Sequence, residues 1–122
     1  MDLPKTGNRI VDLTFEFSLK IIAYTELLED KRKFAIANQL IRSGTSIDAN
    51  ICEAQNSESS ADFVHKFKIA AKEVNETEYW LLLCKYSENY PFNEELLTQL
   101  NEITKITNTI ISSTKKKTNS TK

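Results

Sequence analysis

A chain of 122 residues, 40% hydrophobic and 27% charged, has the size and composition of one globular domain with a single core. Only two glycines and two prolines punctuate it, which favours long helices over many short strands. The formal net charge of −1 gives the whole domain no electrostatic pull toward nucleic acid, and no apolar run approaches the ~18 residues of a membrane span.

The first residues lack the charged-then-apolar layout of a secretory signal, so a cytoplasmic location with no membrane partner is expected. The first helix spans about residues 8–28. Ile10, Leu13, Phe17, Ile21, Tyr24 and Leu28 recur three or four apart on one face, with Val11, Phe15 and Ile22 widening it. Asp12 suits the positive end of the helix dipole. Residues 29–33 read as a turn, with Asp30 as N-cap of a second helix over about 31–56.

That second helix carries two stripes. Ala37, Leu40, Gly44, Ile47, Ile51 and Ala54 form an apolar one; Gln39, Arg42, Ser46, Asn50 and Glu53 form a polar one. A solvated face is normally written in strong helix formers such as Lys, Glu and Gln. Short polar side chains and a mid-helix glycine cost helix stability, so this helix is expected to be contacted on more than one side. Gly44 marks a close approach to a neighbour.

Residues 56–60 break the pattern, and Ser59 to Asp62 gives the S-x-x-D signature of a capped start. The third helix, about 60–87, has Phe63, Phe67, Ala70, Val74, Leu81 and Cys84 on its core row. Asn93 caps a fourth helix over about 93–113, with Glu94 and Glu95 in its first turn. Its core row is Leu96, Leu100, Ile103, Ile106 or Thr107, and Ile110. Residues 114–122 hold three consecutive lysines and nothing apolar, and read as a basic disordered tail. Wide apolar stripes and short connections predict an all-α, antiparallel up-down-up-down four-helix bundle over residues 1–113. Cys52 and Cys84 lie in or beside apolar stripes and are expected to be buried and reduced.

The residue inventory argues against catalysis. Dinuclear metal bundles need paired Glu-x-x-His motifs, whereas this chain has one histidine, His65, three residues after Asp62. No metal site and no cofactor are expected. Ser43, Thr45 and Ser46 are mid-helix with no histidine nearby in sequence to activate them.

The polar stripe has partners. If the second and third helices pack antiparallel about a turn near residues 57–59, Arg42 lies level with Val74, Asn50 with Lys66, and Glu53 with Phe63. Arg42 then reaches Glu73 or Glu76, and Lys66 reaches Asn50 or Glu53. On the third helix Asp62, Lys66, Ile69, Glu73, Glu76 and Trp80 form one row beside the core row. Its mixture of charge with isoleucine and tryptophan resembles an interface. Glu73 and Glu76 as an acid/base pair is the alternative, but no pocket-forming loop or glycine run accompanies them. Arg42, Ser46, Asn50, Glu53 and Lys66, with Ile69, Glu73, Glu76 and Trp80, are therefore the predicted oligomer interface and structural network. Candidates for nucleic-acid contact are Lys31, Arg32 and Lys33, then His65, Lys68 and Lys72, and the tail Lys115, Lys116 and Lys117. Acidic residues are as plentiful, so each group reads as a solvated surface unless an oligomer repeats it.

These residues resemble the bacterial four-helix-bundle proteins named for open reading frames in 23S rRNA intervening sequences. The resemblance covers nearly the whole chain. It is strongest at Gln39-Leu-Ile-Arg-Ser-Gly-Thr-Ser-Ile47, at Ala49-Asn50-Ile51 with Glu53-Ala54, and at Asp62-Phe63 with Lys66. Ile69-Ala70, Lys72-Glu73, Glu76-Thr77 and Tyr79-Trp80-Leu81 complete it. It implies a ring-like homo-oligomer, most often a pentamer, of undefined biochemical role, often labelled ribosomal. A related branch, the accessory variability determinants of diversity-generating retroelements, has the same ring and binds RNA with a reverse transcriptase, but is more basic than this chain. Asp48 departs from the family, which commonly has Gly or Pro there. Two readings follow: a non-catalytic homo-oligomeric scaffold, or an accessory protein that binds RNA, or a nucleic-acid-associated protein, through lysines on a ring surface. A contiguous positive face including Lys105 would favour the second.

Overall fold

The computed structural model describes residues 2–120. Four helices follow in order: α1 (Arg9–Asp30), α2 (Phe34–Ala54), α3 (Ser60–Tyr86) and α4 (Glu94–Ser120). α1 packs on α2, α2 on α3, α3 on α4 and α4 on α1, with no contact across either diagonal among the described residues. That is a square antiparallel bundle, as the stripes predict. Short connections force each helix to lie beside its predecessor.

The predicted inner rows meet at the centre. Phe17, Ile21, Leu28, Leu40, Ile47, Ile51, Leu81, Leu96 and Ile103 have no exposed surface. Thr107 takes the buried place on α4, while Ile106 is half-buried beside it. Phe63 and Ile110 are half-buried too. Phe15 and Ile22 do not widen the core: they are exposed on the outer side of α1, with Leu19 between them. The α1 surface toward α2 is closed instead by Thr14, Ser18 and Thr25, all buried. The Thr14 hydroxyl is 2.8 Å from the Ile10 carbonyl and 3.1 Å from Asp48 Oδ1. The single Thr14 proton serves the carbonyl or Asp48 in turn, so Asp48 has only a shared donor across the α1–α2 seam. Cys52 is exposed rather than buried, one turn beyond Asp48, whose carboxylate is 3.4 Å from its sulfur; Cys84 is buried as expected.

The ends depart from expectation in two places. Asp30 closes α1 instead of capping α2, because the turn is a Schellman motif without a glycine. Arg32 N–H donates to the Glu29 carbonyl and Lys33 N–H to that of Leu28, both at 2.8 Å, with Arg32 in the left-handed region at φ 63°. The predicted caps of the other helices are present. Asp62 N–H donates to Ser59 Oγ at 3.0 Å, and Glu95 N–H donates to Asn93 Oδ1 at 3.0 Å. The predicted disordered tail is helical through Ser120; Thr121 and Lys122 lie outside the described residues. Lysine is a good helix former, and cations suit a helix C-terminus.

At mid-height, consecutive residues of α2 face different neighbours. An ideal Cβ on Gly44 would stand 2.9 Å from Ile21 Cγ2 of α1. Ser43 Oγ lies 3.0 Å from Thr77 Oγ1 of α3, which is also 2.8 Å from the Glu73 carbonyl. Thr77 has one hydroxyl proton. When it goes to the carbonyl, the Ser43 hydroxyl must donate to Thr77. Both residues are fully buried. Thr77→Val is expected to cost about 1–2 kcal/mol, because it leaves the Ser43 hydroxyl short of its buried partner. Ser43→Ala, which leaves Thr77 its carbonyl, should cost less in urea denaturation. The reverse order would show that this pair does not set the α2–α3 spacing.

Candidate functional site: the α2–α3 face

The α2–α3 face assembles from the two rows that the sequence singles out. Arg42 pairs with Glu76 and lies 3.6 Å from Glu73 Oε2. Its other guanidinium contact is Gln39 Oε1, at 3.2 Å. Trp80 Nε1 donates to Glu76 Oε2 at 3.2 Å, one helical turn away. Lys66 reaches Glu53 at 4.0 Å. The sequence-derived register places Ser43 level with Glu73; its bonded partner is Thr77, one turn further on.

Between the charges, α2 satisfies itself. Ser46 Oγ donates to the Arg42 carbonyl at 2.6 Å, and Asn50 Nδ2 donates to the Ser46 carbonyl at 2.8 Å. Such back-bonding explains how short polar residues persist in mid-helix. It also flattens the face and leaves its hydroxyls with no need of water. Asn50, Ile69, Glu73, Glu76 and Trp80 are half-buried. Glu73 Oε2 is cut off from solvent and makes no close hydrogen bond among the described residues, the Arg42 guanidinium standing 3.6 Å away. A buried carboxylate oxygen held only by so long an ion pair is incompletely satisfied.

As chemistry, the arrangement is poor. The Glu73–Arg42–Glu76 group is an ion-pair network on two rigid helices, with no nucleophile beside it. Among the described residues no three His, Cys, Asp or Glu side chains converge as a metal site would require. No helix among them is long and apolar enough to cross a membrane. An open cleft of about 630 Å³ lies at the other side of α3's first turn, lined by Ser57, Ser59, Ser60, Phe63, Thr114 and Lys117.

The basic candidates divide between the two ends of the bundle. Lys31, Arg32 and Lys33 sit at the α1–α2 turn, where Arg32 stacks 5.9 Å from the Phe34 ring and Lys33 4.8 Å from that of Tyr90. Lys68, Lys72, Lys115, Lys116 and Lys117 belong to the opposite half of the molecule, all exposed. There Lys68 of α3 and Lys115 of α4 are brought side to side. The adjacent Lys68 ammonium, by contact first and by charge second, pulls the Lys115 ammonium below the ordinary lysine range. The sequence offered a signal for this pair. With α3 and α4 antiparallel about a turn near residue 91, Lys68 and Lys115 fall at equal height, a register not drawn from the sequence.

Known proteins agree with the fold. The family model for 23S rRNA-intervening sequence protein matches residues 7–112. A solved structure from Bacteroides thetaiotaomicron, described as a protein with unknown function from the S23 ribosomal protein family, is 41% identical, with a TM-score of 0.79. The match covers 84% of this chain and 97% of that one. No curated protein matches the chain.

Proposed function

The chain belongs to the 23S rRNA-intervening sequence protein family, and from that premise we propose that it is a non-catalytic scaffold built of several copies of itself. In this reading the α2–α3 face of one subunit is covered by another, in a ring-like homo-oligomer; a pentamer is the number the resemblance implies. The observation that carries it is Glu73 Oε2, cut off from solvent with only the Arg42 guanidinium 3.6 Å away, at the centre of a face that is half-covered in the single subunit. A second copy supplies what the face lacks: apolar cover for Trp80 and Ile69, and a closer donor for that carboxylate than Arg42 offers. The Ser46 hydroxyl, bonded to its own helix, allows such cover without being orphaned.

Light scattering on purified protein tests the assembly. A mass several times the 14.0 kDa subunit is expected; a single subunit at micromolar concentration would overturn the reading. The network is tested by comparing Arg42→Ala with Lys68→Ala in thermal melts and size exclusion. In an exposed setting a surface ion pair contributes about 1 kcal/mol or less. Once covered, removing one partner costs roughly 3–5 kcal/mol. Arg42→Ala should therefore lower both the melting temperature and the assembled fraction, and Lys68→Ala neither. Equal behaviour of the two variants would refute it.

A further inference from the structure

α4 is anchored in its first half only. Leu96, Leu100 and Ile103 are its buried apolar side chains, and all precede Thr104. Over the same stretch Glu94, Glu95 and Glu102 pair with Lys85, Lys20 and Arg9. Further on, Thr107 is the last buried residue among those described, and its hydroxyl has no hydrogen-bond partner among them. Thr104, Ile106, Ile110, Ile111 and Thr114 are half-buried; the others through Asn119 are exposed. Three hollows lie along this half. A notch of about 140 Å³ separates Thr104, Thr107 and Asn108 from Val74 and Asn75, a groove runs beside Lys115 and Asn119, and the 630 Å³ cleft adjoins Ser113 and Thr114. The backbone adds little of its own. Every residue from Ile106 to Thr114 is β-branched, Asn or Ser, all weaker helix formers than Leu, Lys or Glu. Thr104 Oγ1 donates to the Leu100 carbonyl at 2.9 Å, a back-bond that locally weakens a helix. The other three helices keep a core of their own at this end of the bundle. Ile10 and Leu13 of α1, Ile51 and Ala54 of α2, and Phe67 and Ala70 of α3 are all buried.

We propose that α4 from Thr104 onward is a hinged strap, which undocks from the bundle as a unit while the remainder stays folded. Segments with few buried apolar contacts open at far lower free energy than the core they lie on. The strap governs the cleft at the α2–α3 turn. Ser113, Thr114 and Lys117 form one wall of it, and Ser57, Ser59 and Phe63 the other. The cleft therefore exists only in the docked state, and undocking bares the Phe63 ring. Anything that fills the cleft holds the strap down, by its preference for that state alone. The device belongs to the single subunit and does not depend on the proposed assembly.

Thiol labelling with an aromatic disulfide under native conditions tests this on the full chain. In a Cys52→Ser background the buried Cys84 reports opening of the bundle itself. Thr107→Cys places a second thiol at the hidden side of the strap. That thiol should react at least about tenfold faster than Cys84. Urea below the unfolding transition should barely change its rate, because undocking uncovers little surface. A rate and a urea dependence equal to those of Cys84 would show that the strap opens only when the bundle unfolds. Hydrogen exchange on the unaltered chain reads the same opening without a substitution. Amides from Asn108 to Ser113 should exchange together, at least about tenfold ahead of those from Leu100 to Ile103. Equal protection of the two halves would overturn the proposal. So would protection that climbs residue by residue from the C-terminal end with no step near Thr104.

Discussion

Trp80→Glu is expected to reduce the assembled protein to single subunits while its helicity is retained. Trp80 is half-buried and packs against the core edge, with its indole nitrogen tied to Glu76. A partly covered tryptophan in a ring of charge is the usual anchor of a protein interface, and its truncation commonly costs 2 kcal/mol or more, roughly a 30-fold loss of affinity at each contact. Glutamate adds a third carboxylate beside Glu73 and Glu76, which a covering subunit would have to desolvate. Leu19→Glu is the matched control: Leu19 is 39% exposed on the outer side of α1, away from the α2–α3 face. Sedimentation at one protein concentration separates the outcomes. If both variants keep the mass of the unaltered protein, the α2–α3 face is not where copies meet.

Gly44→Val should be strongly destabilising. The new Cβ would meet Ile21 Cγ2 at 2.9 Å, Cγ1 at 3.0 Å and Cβ at 3.4 Å. Ile21 is fully buried and β-branched, so it has no free rotamer to move into. Overpacking of this kind costs about 3 kcal/mol, or ~10 °C in melting temperature for a domain of this size. Gly44→Ala places the same Cβ against Ile21, so ~1 kcal/mol of regained helix propensity offsets only part of the strain and it should still destabilise, though less than Val. The cause can be isolated. Ile21→Ala removes the opposing methyls, so Gly44→Val should cost at least about 1 kcal/mol less in that background. Additive melting shifts would place the strain elsewhere.

The inner rows were legible because apolar residues three and four apart have only one consistent geometry. Hydroxyls were the weak point. Thr14, Thr77 and Thr107 are buried, yet nothing in their type separates them from solvated residues. Thr14 and Thr77 enter the core by bonding to carbonyls of their own helix, a contact that leaves no mark on hydrophobic periodicity. The missed end of α1 has a similar origin: Arg32 performs the left-handed turn usually signalled by glycine. The C-terminal lysines lack an apolar stripe, which hid seven further helical residues whose propensity alone is favourable. Of the site, the α2–α3 pairs followed from one antiparallel register. The Lys68–Lys115 approach needed the second register, between α3 and α4, and an estimate of how far α4 continues.

The back-bonded centre of α2 has a consequence for recognition. Ser46 directs its one proton into its own helix and Asn50 one of its two amide protons, so that part of the surface carries less directional information than its composition suggests. It would accept a flat neighbour of any closely related sequence. Discrimination between self and a sister chain then falls to the ends of the stripe, where Arg42 and Glu53 stand, and a cell making two such chains would sort them by charge at those two positions.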